Sequence, residues 1–322
     1  MNMSEPVTAL SSASADRLRG VLRTDVSMAS HVSWRCGGRA RRTYQPADLA
    51  DLCNFLRTLP SNEPLCFVGL GSNLLLRDGG WLGTVILMHR SSAAIRLEGE
   101  QFWADAGAAC PKLARHAARE SFEGAEFLAG VPGTVGGALA MNAGCYGSET
   151  WQSVSKVQTV DRTGRLHWRE PADFDIGYRH VALRASAHAV LGQDEWFVGG
   201  YFKFVRGDGE RARSRIRQWL EQRVATQPLN LPNAGSVFRN PPGDYAARLI
   251  ESCGLKGFAC GGAMVSAKHA NFIVNPEGAA SASDIECLIE QVRERVSRQH
   301  GITLQTEVRI IGEQPATVGA AT

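Results

Sequence analysis

The feature that most narrows the folds open to this chain is the run from Gly124 to Gly147, in which seven of 24 residues are glycine. From Glu126 it reads EFLAGVPGTVGGALAMNAGCYG. The residues between the glycines are small and apolar, whereas a flexible linker is polar and serine-rich. Glycine in an apolar setting marks backbone approached closely, either by another stretch of chain or by a flat or phosphorylated ligand. The whole chain has 34 glycines in 322 residues, about 11% against an ordinary ~7%. Gly37, Gly38, Gly69, Gly71 and the seven of this run account for most of that excess.

A second glycine loop precedes it. Leu65 to Val68 reads as a strand and runs into Gly69-Leu70-Gly71-Ser72-Asn73. Such a loop aims backbone N–H groups at a phosphate, with Ser72 and Asn73 adding polar side chains. It lacks the third glycine and the later acidic residue of a dinucleotide fingerprint. Taken alone, it fits an ordinary tight turn equally well.

The rest of the composition excludes several classes. The chain is 44% hydrophobic and 21% charged, which is a folded globular composition. Its net charge of +3 is too small to call for a polyanionic partner. No apolar run reaches the ~20 residues of a bilayer span. Met1 to Asp16 lacks the apolar core of an export signal. The eight cysteines form no CxxC pair, so reduced thiols of a cytoplasmic protein are expected. No HExxH or comparable cluster surrounds His269, and no metal site is expected.

Periodicity divides the chain. A helix begins near Pro46, carries Leu49, Leu52, Cys53 and Leu56, and stops by Pro60; a strand follows at Thr84 to Met88. A second unit holds strand-like Phe102 to Ala106, a short helix from Pro111, and the glycine run. It continues with strands Val154 to Asp161 and Arg165 to Arg169 around a Thr163-Gly164 turn, then Trp196 to Val205. Asp208 to Val224 is a helix with Ile216, Trp219, Leu220 and Val224 in a stripe, and is expected to open the last unit. Its arginines 211, 213, 215, 217 and 223 read as a solvated face. Ser283 and Glu286 have capping-box spacing before a helix bearing Ile285, Leu288, Ile289, Val292 and Val296, closed by Gly301. Ile302 to Ile310 then alternates as a strand, with Glu307 and Arg309 side by side on one face. They form either a surface ion pair or a pair of site groups.

Three more segments carry chemistry. Gly177-Tyr178-Arg179 sets a guanidinium beside an aromatic ring. Pro232-Asn-Ala-Gly-Ser-Val-Phe-Arg-Asn-Pro241 holds Ser236 among small neighbours, without the partners of a hydrolase triad. Gly261-Gly-Ala-Met-Val-Ser-Ala-Lys-His-Ala-Asn-Phe-Ile-Val-Asn275 contains His269.

In their order and spacing, VSWRCGGRA, VGLGSNLL, the long glycine segment, GYR, QPLNLPNAGSVFRNP, LIESCGLKG, GGAMVSAKHANFIVN and TEVRIIG resemble the UDP-N-acetylenolpyruvoylglucosamine reductase (MurB) family over Val32 to Gly312. Without an extra tyrosine-bearing loop between Arg179 and Ser236, the chain is similar to the shorter, type II subgroup. The resemblance implies an α+β protein: a two-subdomain FAD-binding fold of the PCMH/vanillyl-alcohol-oxidase superfamily plus a C-terminal α+β substrate domain. The expected limits are a disordered tail 1–17, subdomains 18–88 and 89–207, a substrate domain 208–313 and a second tail 314–322. A monomer is expected, with oligomers left open. The implied activity is NADPH-dependent reduction of an enolpyruvyl UDP-sugar to UDP-N-acetylmuramate through non-covalent FAD, with no nucleic-acid or membrane partner.

By position, the resemblance makes Arg179, Ser236 and Glu307 catalytic, with Ser236 the proton donor. It assigns FAD contacts to Gly69, Leu70, Gly71, Ser72, Asn73, Gly133, Thr134, Gly136, Gly137, Asn142 and Gly144. It assigns substrate contacts to Tyr178, Asn240, His269 and Arg309. Glu307 is expected to be protonated with a raised pKa, or to act through Arg309 or a water. Cys36 and Arg39 depart from the family's usual aliphatic residue and proline.

Overall fold

The computed structural model describes residues 18–185 and 188–315; the expected tail 1–17, and residues 316–322 of the other, lie outside them. The first unit is a four-stranded sheet in the order Val21–Ser27, Arg39–Gln45, Trp81–Leu87, Leu65–Val68. The first pair is antiparallel and the other two are parallel. The parallel crossover is made by helix α1, Leu49–Arg57. It starts three residues after Pro46, because Asp48 accepts the Asp51 N–H at 2.9 Å and acts as N-cap. Leu52, Phe55 and Leu56 are buried, with Phe55 stacked on Tyr44 at 3.7 Å. The same core takes in Val160, Trp196 and Val198 of the next unit, so the two units share apolar surface.

The second unit is a five-stranded antiparallel sheet, Leu166–Arg169, Val154–Asp161, Glu195–Lys203, Gln101–Asp105, Ile95–Glu98. Helices α2 (Cys110–Arg119) and α3 (Val135–Met141) contribute to its core. Helix α4, Gly209–Thr226, joins them rather than opening the last unit. Its Ala212 and Ile216 are buried in that core, and Arg211 and Arg215 pair with Glu123 and Glu126. The stripe ends at Leu220, for Val224 is 62% exposed.

The last unit packs α5 (Ala246–Ser252) and α6 (Ala282–His300) against a small antiparallel sheet of Ala259–Cys260, Ala263–Val265 and Ile273–Val274. The α6 cap is Ser281 with Asp284, not Ser283 with Glu286. Ser283 is drawn off by Asp78, which accepts both its hydroxyl at 2.6 Å and its amide; Glu286 pairs with Arg77 at 2.7 Å. Both side chains thus dock the helix on the first unit. Trp34 completes that docking: fully buried, it donates its indole N–H to the Ile273 carbonyl at 2.8 Å. Gly301 ends α6 in the left-handed conformation, as its spacing implies.

The expected 302–310 strand is a strand only at its end, where Arg309–Ile311 pairs in parallel with Leu74–Leu76 of the first unit. Before it, the backbone bonds to the Val237–Arg239 segment: Glu307 N–H to the Val237 carbonyl at 2.7 Å, Arg239 N–H to the Gln305 carbonyl at 2.9 Å. Among the described residues, no helix is long and apolar enough to cross a membrane.

Candidate active site

A cavity of about 620 Å³ runs between the three units. One wall is the loop Gly69–Asn73, another the Gly133–Gly137 turn, and Arg179, Ser236 and Glu307 also line it. The two glycine loops touch. A Cβ on Gly69 would lie 2.3 Å from Thr134 Oγ1, and one on Gly133 would lie 3.2 Å from Ser72 Oγ. Thr134 is the N-cap of α3, so its hydroxyl is committed to the helix and cannot retreat freely. Bare backbone at Gly69 and Gly133, beside Ser72 and Asn73, makes a cradle of the kind a dinucleotide needs.

The glycines of the long segment do different jobs. At Gly130, Gly136 and Gly144 a Cβ would strike Cys145 Sγ, Ala106 Cβ and the Ser148 carbonyl, all within 2.8 Å. There, chain packs on chain. Gly133 and Gly137 face more open space on the cavity.

Ser236 follows Gly235, whose φ of +76° and N–H bond to Asn233 Oδ1 at 2.9 Å define a tight turn. No protein hydrogen bond to the Ser236 hydroxyl occurs among the described residues. Glu307 is tied to the same segment through its amide, which bonds to Val237, one residue after the serine. Asn73 joins its loop to Glu307 and Arg309: its amide donates to the Glu307 carbonyl at 3.2 Å and its carbonyl accepts the Arg309 N–H at 3.0 Å.

Arg179 is the second residue of the two-residue turn joining Phe174–Gly177 to His180–Leu183. Its φ of +53° is unfavourable for a side chain of this size. Three bonds hold it there: Nε to Glu307 Oε1 at 2.6 Å, Nη2 to the Gly144 carbonyl at 3.1 Å and Nη1 to the Asn142 carbonyl at 3.3 Å. The Glu307–Arg179 pair is shielded, with side chains 14% and 16% exposed. Burial pushes the Glu307 carboxyl up, and this outweighs the opposing pull of Arg179 and Arg239.

Of the residues expected to touch FAD, all but Asn142 line the cavity. Asn142 is buried behind it, bonded to Glu149 and the Gly177 carbonyl, and so supports the turn that carries Arg179. Arg309 lines the cavity; Tyr178, Asn240 and His269 do not. Tyr178 lies against the Arg179 guanidinium at 5.2 Å. Asn240 accepts the Ala246 N–H at 3.1 Å at the start of α5. His269 stands edge-on to Phe272 and accepts the Asn271 N–H at 3.3 Å; burial lowers its pKa. The partner of Glu307 is Arg179, not its sequence neighbour Arg309.

Two arginines were not singled out by sequence reasoning. Arg223, from the helix read as a solvated face, lines the cavity and donates to the Gly130 carbonyl at 2.6 Å and to Gln227 at 2.9 Å. Its signal was spacing: it falls three and four residues after Leu220 and Trp219, on the apolar side. Arg239 donates to the Arg179 carbonyl at 3.3 Å, while its buried Nε has no partner among the described residues.

Comparison with known proteins agrees with this geometry. The family model for the C-terminal domain of UDP-N-acetylenolpyruvoylglucosamine reductase matches residues 227–311, and that for an FAD binding domain matches 40–169. The reductase of Nitrosospira multiformis is 56% identical over 312 residues, covering 92% of this chain and 90% of the relative. The chain belongs to the UDP-N-acetylenolpyruvoylglucosamine reductase family. The reductase of Thiobacillus denitrificans is 54% identical, covering 92% of this chain and 94% of its own. The crystal structure of the reductase from Thermus caldophilus superposes with a TM-score of 0.75 at 30% identity, over 92% of this chain and 99% of that one. The protein is accordingly an FAD-dependent oxidoreductase of peptidoglycan precursor synthesis, acting on a UDP-sugar. The glycine cradle and the extended cavity fit that cofactor.

Proposed function

We propose that this reductase uses NADPH to convert the enolpyruvyl ether of UDP-N-acetylglucosamine to the lactyl ether of UDP-N-acetylmuramate, with Ser236 as proton donor. What carries the reading is that Arg179, Ser236 and Glu307, from three separate parts of the chain, line the same cavity as the glycine loops. FAD, held there without a covalent link, would supply the hydride-transfer chemistry between the reductant and the enolpyruvyl double bond. Gly69 to Asn73, Gly133, Thr134, Gly136, Gly137 and Gly144 hold it.

Hydride arriving at the terminal alkene carbon leaves negative charge spread into the substrate carboxylate. A guanidinium near that charge stabilises it most effectively where water is excluded. Arg179 suits the task, being fixed in place by two carbonyls and Glu307. An ionised Glu307 would repel the same charge. Burial raises its pKa, which eases its protonation as charge builds on the substrate. The Ser236 hydroxyl, without a protein partner, is available to deliver its proton to the adjacent carbon. Arg309 binds the substrate's anionic part. We place the substrate domain from about Gln227 to Glu313, since α4 packs with the FAD-binding units. NADPH and UDP-sugar take turns in one cavity, which predicts ping-pong kinetics.

Ser236→Ala tests the reading in stopped flow. Flavin reoxidation by the enolpyruvyl UDP-sugar should slow about 10²-fold or more, with reduction by NADPH near normal. Equal reoxidation rates in variant and parent would remove Ser236 from this role.

A further inference from the structure

All eight cysteines carry free thiols, and two of them meet. Cys260 Sγ and Cys287 Sγ are 2.7 Å apart, well inside the ordinary contact of two sulfurs. No other thiol pair among the described residues is hydrogen-bonded; Cys36, Cys53 and Cys110 are buried, and Cys145 donates to the Phe127 carbonyl.

The local fold brings the pair together. Cys260 ends the strand Ala259–Cys260, and the chain turns through Gly261-Gly262 into Ala263–Val265. That turn is seated on the first turn of α6. The Gly262 N–H donates to Asp284 Oδ2 at 3.2 Å, and Gly261, at φ +53°, lies so close that a Cβ would stand 2.1 Å from Asp284 Oδ1. Cys287 is three residues beyond Asp284, hence on the same helix face. Gln291, one turn further, donates to Cys287 Sγ at 3.1 Å and approaches Cys260 Sγ at 3.6 Å. Cys287 is exposed and Cys260 half-buried; neither lines the cavity.

We propose that Cys260 and Cys287 form a reversible disulfide when the enzyme meets a hydroperoxide. The exposed Cys287 thiolate attacks the peroxide oxygen; the O–O bond breaks, Cys287 becomes a sulfenic acid and an alcohol, or water, leaves. Cys260 then attacks that sulfur, the S–O bond breaks and water leaves. Together the thiols give up two electrons and two protons, and the peroxide is reduced. The sulfurs need close by only about 0.7 Å to reach bonding distance. In the resting pair the hydrogen bond with Cys287, aided by burial, holds the Cys260 proton, its pKa pushed up to about 11. The exposed thiol is therefore the one that meets the oxidant. The product pins the hairpin to α6, next to the Glu286–Arg77 contact that ties the last unit to the first.

The test uses flavin-loaded enzyme, reduced with dithiothreitol, desalted, then given one equivalent of hydrogen peroxide without NADPH. Alkylation and peptide mass mapping should show two thiols lost and one Cys260–Cys287 linked peptide, restored by dithiothreitol. The melting temperature should rise by roughly 5 °C, because a loop of about 28 residues is closed. Cys260→Ser and Cys287→Ser should each abolish the linked peptide and the rise, with reductase activity within about twofold of the parent. Eight alkylatable thiols after peroxide, a sulfinic acid at Cys287 without the link, or linkage through another cysteine would overturn the proposal.

Discussion

Arg179→Met removes the cation from Glu307 while keeping much of the side chain's bulk. The two groups meet at 2.6 Å with side chains 16% and 14% exposed. At an effective dielectric of about 20, unit charges roughly 4 Å apart interact by about 4 kcal/mol, and such a partner lowers a carboxyl pKa by about 1–3 units. Burial already raises Glu307 against that pull, so without the guanidinium the variant's Glu307 should titrate higher still. The sign of the stability effect follows. A carboxyl that binds its proton more tightly folded than unfolded favours folding at low pH. Stability is lost as pH rises from the unfolded pKa, about 4.3, through the folded one. The variant's deficit should therefore widen, by at most about the 4 kcal/mol of the lost attraction, as pH rises above the unfolded value of about 4.3, read by urea unfolding. The lost bonds to the Gly144 and Asn142 carbonyls add a part that does not vary with pH. Infrared spectra of isotope-labelled glutamate would report the carboxyl directly. A deficit constant across pH, or a Glu307 pKa at or below the parent's, would refute the reasoning.

Two further substitutions probe the frame. Gly69→Ala puts a methyl 2.3 Å from Thr134 Oγ1; overpacking of this kind costs about 1–3 kcal/mol, so FAD should bind roughly tenfold more weakly or worse. Titration of the apoprotein, followed by flavin fluorescence, checks it, and parental affinity would show that the loops yield. Trp34→Phe deletes the buried indole bond to the Ile273 carbonyl, at about 0.5–1.5 kcal/mol. Urea denaturation should show the loss, and an unchanged midpoint would mean the docking rests elsewhere.

Residues close in sequence were the readable ones. The alternation of Val154–Asp161 against Leu166–Arg169 and the stripe of α6 are local periodicities, and both recur in the fold. The capping residue of α6 was misplaced because two serine–acid pairs of equal spacing compete, and distant Asp78 and Arg77 claim the second. The edge strand Val21–Ser27 has no buried face, only two half-buried residues at its end, so no apolar period marks it.

By itself, the sequence determined that backbone must lie bare at two loops and that an arginine, a serine and a glutamate recur in a family's order. What each glycine is bare for was a tertiary matter. All five border the cavity, but the place of a Cβ is filled by neighbouring chain at Gly130, Gly136 and Gly144 and is more open at Gly133 and Gly137. The partner of Glu307 was likewise tertiary. Strand alternation sets Arg309 beside it, but Arg179, 128 residues away, reaches it because its turn is held by Gly144 and Asn142. Charge pairing follows distance through space, and only the folded chain, with Glu307 tied to Val237 and Asn73, sets that distance.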